Sequence, residues 1–337
     1  MNKRIGERTV LFSNPVYITG FGSAAGQKEK QGPLGNLFDF VSEDDFLGKK
    51  TYEMAETELV CKALNSAIEK SKLSNGEIDV ILGGDLLNQC TATSYCVRDL
   101  GVSFLGLFNA CATMAEAILT GAMVIDGGYA QNAAAVASSH FCTAERQFRF
   151  PLEYGGQRPP EAQWTVTASG AVILSEKGNQ GFPKITKGVI GKIVDLQVTN
   201  ANNMGAAMAP AFFDTLNCFL KDTKTSPKDY DLIVSGDLGK VGSDLARALF
   251  EKEGIDLAES YTDCGLMIFE REKQDVHSGG SGAGCSASVL CAKILPEMVK
   301  KEKRRVLFCG TGALMSPTLL LQKESIAGIC HLVEIEI

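Results

Sequence analysis

The sequence predicts an α/β protein built from two related halves. Three observations carry that expectation: short apolar runs alternating with amphipathic stretches, an ordered internal echo, and a composition rich in glycine with a single tryptophan. The runs 16–19, 80–82, 134–138, 171–174, 232–234 and 306–309, each bounded by Gly, Asp or Ser, read as buried strands. The stretches 53–70, 113–125, 242–253 and 287–300 carry apolar residues at helical spacing. Such alternation predicts a mainly parallel sheet with helices on both faces. The 35 glycines suit tight turns and close helix–strand contacts.

The echo is ordered along the chain. Segment 79–86, DVILGGDL, returns as 231–238, DLIVSGDL. Each half then offers a small-residue turn entering a helix, at 109–114 and 279–288, followed by a strand that ends in small polar residues. Gly, Asn, Gln and Pro punctuate 176–187, which places the join there and divides the chain into 1–180, carrying Cys111, and 181–337. Residues 26–51 and 150–164 interrupt the pattern as surface excursions. Within the first, the acidic triplet 43–45 reads as a solvated charge run.

A net charge of -7, without a basic stripe interleaved with aromatics, argues against a nucleic-acid partner. Residues 1–9 are mostly polar and the apolar stretch after them is broken by Ser13, Asn14 and Pro15, so neither a signal peptide nor a membrane span is expected. Most of the 11 cysteines, Cys61 and Cys309 among them, have apolar neighbours and read as reduced, buried small side chains. With three histidines and no CxxC pair, no metal site is predicted. Met204, Met208, Phe212 and Phe213 read as core or interface packing.

Cys111, in 109–114 (NACATM), stands where an apolar approach runs into a helix. A cysteine there faces the positive end of the helix dipole, which favours a thiolate. It reads either as a nucleophile or as a small residue filling a strand–helix corner.

The 109–111 turn, the duplicated halves and the segment 310–317 (GTGALMSP) together resemble the thiolase and ketoacyl synthase superfamily. That resemblance implies a layered α-β-α-β-α architecture and a homodimer. It also makes Cys111 the position that takes up an acyl group, assisted by a His–His or His–Asn pair from the second half. At the matching places this chain has Asp237, in 235–238 (SGDL), and Ser281 or Gly280, in 280–283 (GSGA), with His277 a few residues upstream of the latter. A carboxylate opposes the oxyanion that a condensing site must stabilise. The resemblance therefore implies a retained pocket without condensing chemistry and no catalytic residues. The competing readings are an acyltransferase using Cys111, and a structural adaptor whose pocket is a relic.

Within the superfamily, 138–155 (SSHFCTAERQFRFPLEYG), 83–88 (GGDLLN) and 109–113 resemble the stage V sporulation AD family of endospore-forming bacteria, end to end. The resemblance implies binding of dipicolinic acid during its uptake into the spore. It also implies membrane partners from the same stage V sporulation A operon, a peripheral place at the inner spore membrane, and no resident cofactor. For such a flat dianion, with or without calcium, Arg146 and Arg149 offer carboxylate grips or are tied into structural pairs. Asn88, Cys111, Thr113, His140, Ser281 and Thr311 offer further donors, and Phe141 a ring contact. His140 also reads as a satisfied core histidine. Asp85 and Asp237 read either as caps of the helix after each strand or as calcium ligands.

Overall fold

The computed structural model describes residues 3–148, 158–179, 181–257 and 259–337. Ten strands carry the architecture: β1 (Thr9–Ala25), β2 (Val80–Gly84), β3 (Phe104–Gly106), β4 (Asn132–Ser139), β5 (Ala168–Ser175), β6 (Lys184–Val189), β7 (Leu232–Ser235), β8 (Tyr261–Asp263), β9 (Arg305–Leu314) and β10 (Ala327–Glu336). They lie in the order β3-β2-β4-β5-β1-β6-β10-β9-β7-β8. Written as two sets of five, the order is the same in each, third-second-fourth-fifth-first, and the two first strands pair antiparallel at the centre.

The expected mainly parallel sheet is in fact mixed. In each half the fifth strand, β5 or β10, runs against both neighbours. Among these ten strands, parallel pairing falls to the outer ones, β4-β2-β3 and β9-β7-β8. Periodicity along one strand reports which faces are buried and says nothing of the neighbour's direction. β1 is also far longer than the apolar core of 16–19 that announced it.

The longer helices among the described residues pack on this frame: α1 (Tyr52–Ser71), α2 (Thr91–Leu100), α3 (Thr113–Asp126), α4 (Phe141–Phe148), α5 (Met204–Thr223), α6 (Gly239–Lys252) and α7 (Ala283–Val289), the last running on through 290–294 to Val299. Helices α3 and α7 are the buried pair. Ala115, Ala117, Gly121 and Ala122 keep α3 slim enough to touch strands of both halves. α7 is seated by glycine at both surfaces: a Cβ on Gly284 would stand 2.1 Å from Ala168 O, and one on Gly170 2.1 Å from Ala287 O. Small side chains at such crossings let backbone approach backbone.

Cys61, expected to be reduced, is bonded to Cys96, joining α1 to α2 with their Cα atoms 5.6 Å apart. The other nine cysteines are free. Helix packing brought the two thiols together, and local apolar neighbours could not reveal it. No helix among the described residues is long and apolar enough to cross a membrane.

Candidate ligand site

Cys111 is presented by a kinked turn at the head of α3. Ala110 adopts a left-handed φ of 49°, unusual for a residue with a Cβ. Thr113 holds the kink, donating its hydroxyl to Ala110 O at 2.7 Å and accepting Asn109 N–H at 3.1 Å. The Asn109 amide meets Nε2 of His331 at 3.0 Å, and His331 Nδ1 accepts Gly191 N–H at 3.1 Å. Burial lowers that imidazole to about 4, so it is neutral near pH 7.

The second half supplies what faces the thiol. Asp237, in the turn after β7, is wholly buried and accepts three donors: Ser281 Oγ–H at 2.7 Å, Gly282 N–H at 3.0 Å and Thr311 Oγ1–H at 2.8 Å. Gly282 has a φ of 112°, open to glycine, which aims its N–H at the carboxylate. Gln163 donates to Asp237 O at 2.7 Å and to Gly280 O at 2.9 Å, tying the two turns together. Ser281 gives its proton to Asp237, which leaves its oxygen as acceptor for the Cys111 thiol 3.9 Å away.

Electrostatics then decide the state of the thiol. A helix N-terminus favours a thiolate, but burial, followed by the charge of Asp237, pushes Cys111 well above the ordinary thiol range. Burial also raises Asp237 against the pull of its donors. The sequence expectation of a thiolate-favouring position is thus overturned by desolvation and a carboxylate neighbour.

Beside the thiol lies a cavity of about 230 Å³. Leu86, Phe108, Phe148, Met204, Leu314 and Met315 supply most of its apolar wall, and Cys111, Glu145, Thr165 and Ser281 its polar groups. Among the described residues no His, Lys or Arg lines it.

The stage V sporulation protein AD family model matches residues 6–336. Stage V sporulation protein AD of Bacillus subtilis (strain 168) is 44% identical over 329 residues, covering 98% of this chain and 96% of that protein. The chain belongs to the stage V sporulation protein AD family. Membership gives it a role in sporulation. Solved structures show the fold. 3-Oxoacyl-[acyl-carrier-protein] synthase III from Aquifex aeolicus VF5 superposes with a TM-score of 0.58 at 14% identity, covering 96% of this chain and 100% of that one. A cysteine-to-serine variant of Xanthomonas campestris OleA, with bound lauric acid and lauroyl-CoA, does so with a TM-score of 0.63 at 14% identity, covering 97% and 100%. The fold is therefore thiolase-like.

For a family member on this fold, the sequence-predicted residues divide sharply. Cys111 and Ser281 line the cavity, Asp237 and Thr311 stand behind Ser281, and Thr113 pins the turn. Asp85 is elsewhere: its carboxylate accepts Leu87 N–H at 3.0 Å and Thr93 N–H at 2.8 Å, capping the approach to α2. Asn88 is exposed, its N–H donating to Gln147. Arg146 is half-exposed and paired with Glu53 of α1, since its position on α4 turns it away from the cavity that Ala144, Glu145 and Phe148 line. Arg149 lies outside the described residues. His277 pairs with Asp275 at 3.0 Å and does not line the cavity.

His140 and Phe141 line a separate cavity of about 250 Å³, with Lys28, Glu29, Asp45 and Trp164. His140 is satisfied there, its Nε2–H donating to Asp45 O at 2.8 Å and its Nδ1 accepting Cys142 N–H at 3.2 Å. Sequence reasoning missed Glu145, Gln163 and His331; Met204, expected as packing, is a buried core residue that also lines the cavity. Glu145 lies inside the quoted 138–155 segment, so a helical wheel over it was the available signal. Gln163 and His331 had none, because their partners are distant in the chain.

Proposed function

We infer that this chain is a non-catalytic dipicolinate-binding component of the machinery that loads the developing spore, and that the ligand enters the cavity beside Cys111. The observation that carries the reading is the hydrogen-bonded run from Cys111 through Ser281 to Asp237. A carboxylate stands where a condensing site needs a donor for an oxyanion, and burial, followed by that carboxylate's charge, favours the protonated thiol. Binding needs only the cavity and the polar groups on its wall. The described lining offers Glu145 and no cation, which favours entry of the dianion as its calcium chelate, the metal being part of the cargo. Asp85 and Asp237 are already engaged by donors, so the cargo supplies its own charge balance. In this reading the chain works as a homodimer, peripheral at the inner spore membrane, with membrane proteins of the same operon.

The test is equilibrium binding of dipicolinate, with and without calcium, to the purified protein. Saturable binding is expected, weakened at least about tenfold by A144F, which fills the cavity. Absence of binding at millimolar ligand would sink the reading.

One observation favours a second reading. The same run can pass the thiol proton through Ser281 to Asp237 while Cys111 attacks an acyl thioester, breaking its C–S bond and returning the proton to the departing carrier thiolate, which is the acyltransferase alternative. Incubation with acyl-CoA and intact-mass measurement separates the two: an acyl adduct on Cys111 supports the enzyme, and an unchanged mass the binding protein.

A further inference from the structure

The second cavity, on the far side of α4 and of the Trp164–Thr165 strand, holds groups that its neighbours leave incomplete. Trp164 lines this cavity and Thr165 the one at Cys111, as alternation along a strand requires. Phe141 stacks on Trp164 with ring centroids 3.9 Å apart. Lys28 Nζ stands 4.1 Å, and the Arg158 guanidinium 4.6 Å, from the same indole. Two cations over one ring repel each other, and Lys28 is lowered by burial and then by Arg158.

Among the described residues, two buried polar atoms near this cavity lack partners. The Arg158 side chain is 7% exposed, and its Nη2 donates to Asp275 at 3.0 Å while Nη1 has no acceptor. Glu29 is 1% exposed. Its Oε1 accepts Thr167 N–H at 3.0 Å, its Oε2 has no donor among the described residues, and the residue is part of the cavity lining. Native proteins rarely leave buried polar atoms unpaired, and here one belongs to a residue that lines the cavity and the other to the arginine over its Trp164 wall.

We propose that this cavity is a second binding site, for a small organic carboxylate held by Lys28 and Arg158 with its apolar body against Phe141 and Trp164. Glu29 completes it. Burial raises Glu29 to about 7, so at neutral pH a share of it is protonated and able to donate a hydrogen bond to the ligand carboxylate. Asp45 and His140 also face the space; His140 is neutral and already bonded, and Asp45 selects against a second anionic group. The proposal does not depend on dipicolinate binding at Cys111.

Trp164 is the chain's one tryptophan, so its fluorescence reports on this cavity. The experiment titrates the full chain with benzoate and, separately, with neutral benzamide. Benzoate is expected to change the emission saturably and benzamide to leave it unchanged. K28M is expected to weaken the benzoate titration about tenfold, the loss of one charge-assisted hydrogen bond, and K28R to restore it to within about threefold. E29Q, whose amide still donates, is expected to bind within about threefold of the parent, and E29A more weakly. Circular dichroism on each variant confirms that it is folded. Equal response to benzamide, no saturable signal, or an unchanged titration in folded K28M overturns the proposal. So does a benzoate signal that A144F removes and K28M does not, because that places the ligand at Cys111.

Discussion

Cys111 shows how neighbours outrank local position. The head of α3 favours a thiolate, yet burial and then the charge of the Asp237 carboxylate keep the sulfur protonated. Asp237→Asn removes the charge while preserving an acceptor for Ser281, so the thiol pKa falls. Iodoacetamide should then alkylate Cys111 faster at neutral pH, roughly threefold for each unit of decrease, because a gain in thiolate is partly offset by weaker nucleophilicity. Quantitative mass spectrometry of the Cys111 peptide checks this; an unchanged or slower rate in D237N would remove Asp237 as the controlling group.

At the scale of elements, the site exists because α7 and α3 are driven deep between strands. The Gly284 and Gly170 crossings bring α7 onto β5, and the turn that leads into α7 carries Ser281 and Gly282. G284A should destabilise the protein by about 1–3 kcal/mol, since the new methyl meets a carbonyl that only a backbone shift can move. Urea unfolding measures it, and a loss below about 0.5 kcal/mol would mean the crossing relaxes freely. Asp85 does comparable work for α2. D85A strands Leu87 N–H and Thr93 N–H in a buried setting, and a loss of about 2–4 kcal/mol is expected in the same assay.

Across the whole molecule, buried acids set the pH response. Burial raises Glu29 and Asp263 from ordinary carboxylate values to about 7. Their folded values exceed their unfolded ones, so the stability they contribute is full below about pH 4 and is lost as pH rises through 7. Asp222 has the opposite sign. Despite some burial, donors from Glu7, Arg8 and Thr9 hold it down to about 2, and its contribution is lost only as pH falls from about 4 toward 2. The melting temperature should therefore decline between pH 5 and pH 8, and E29Q should flatten that decline. A parent curve that is level or rising across the interval contradicts this account.

How much of this was legible beforehand follows from the range of each interaction. The DVILGGDL and DLIVSGDL echo and the apolar runs, which are local, revealed the α/β class and the duplication. The turns carrying Cys111, Asp237 and Ser281 were legible for the same reason, since each is a short signature beside its own strand or helix. Strand direction, the Cys61–Cys96 bond, and the separation of His140, Phe141 and Arg146 from Cys111 were not. These depend on which element lies beside which, and that is settled by packing between residues far apart in the chain. The state of the thiol was illegible for the same cause: its charge depends on a carboxylate far along the chain, in the other half, and on the exclusion of water, neither of which acts until the two halves close on each other.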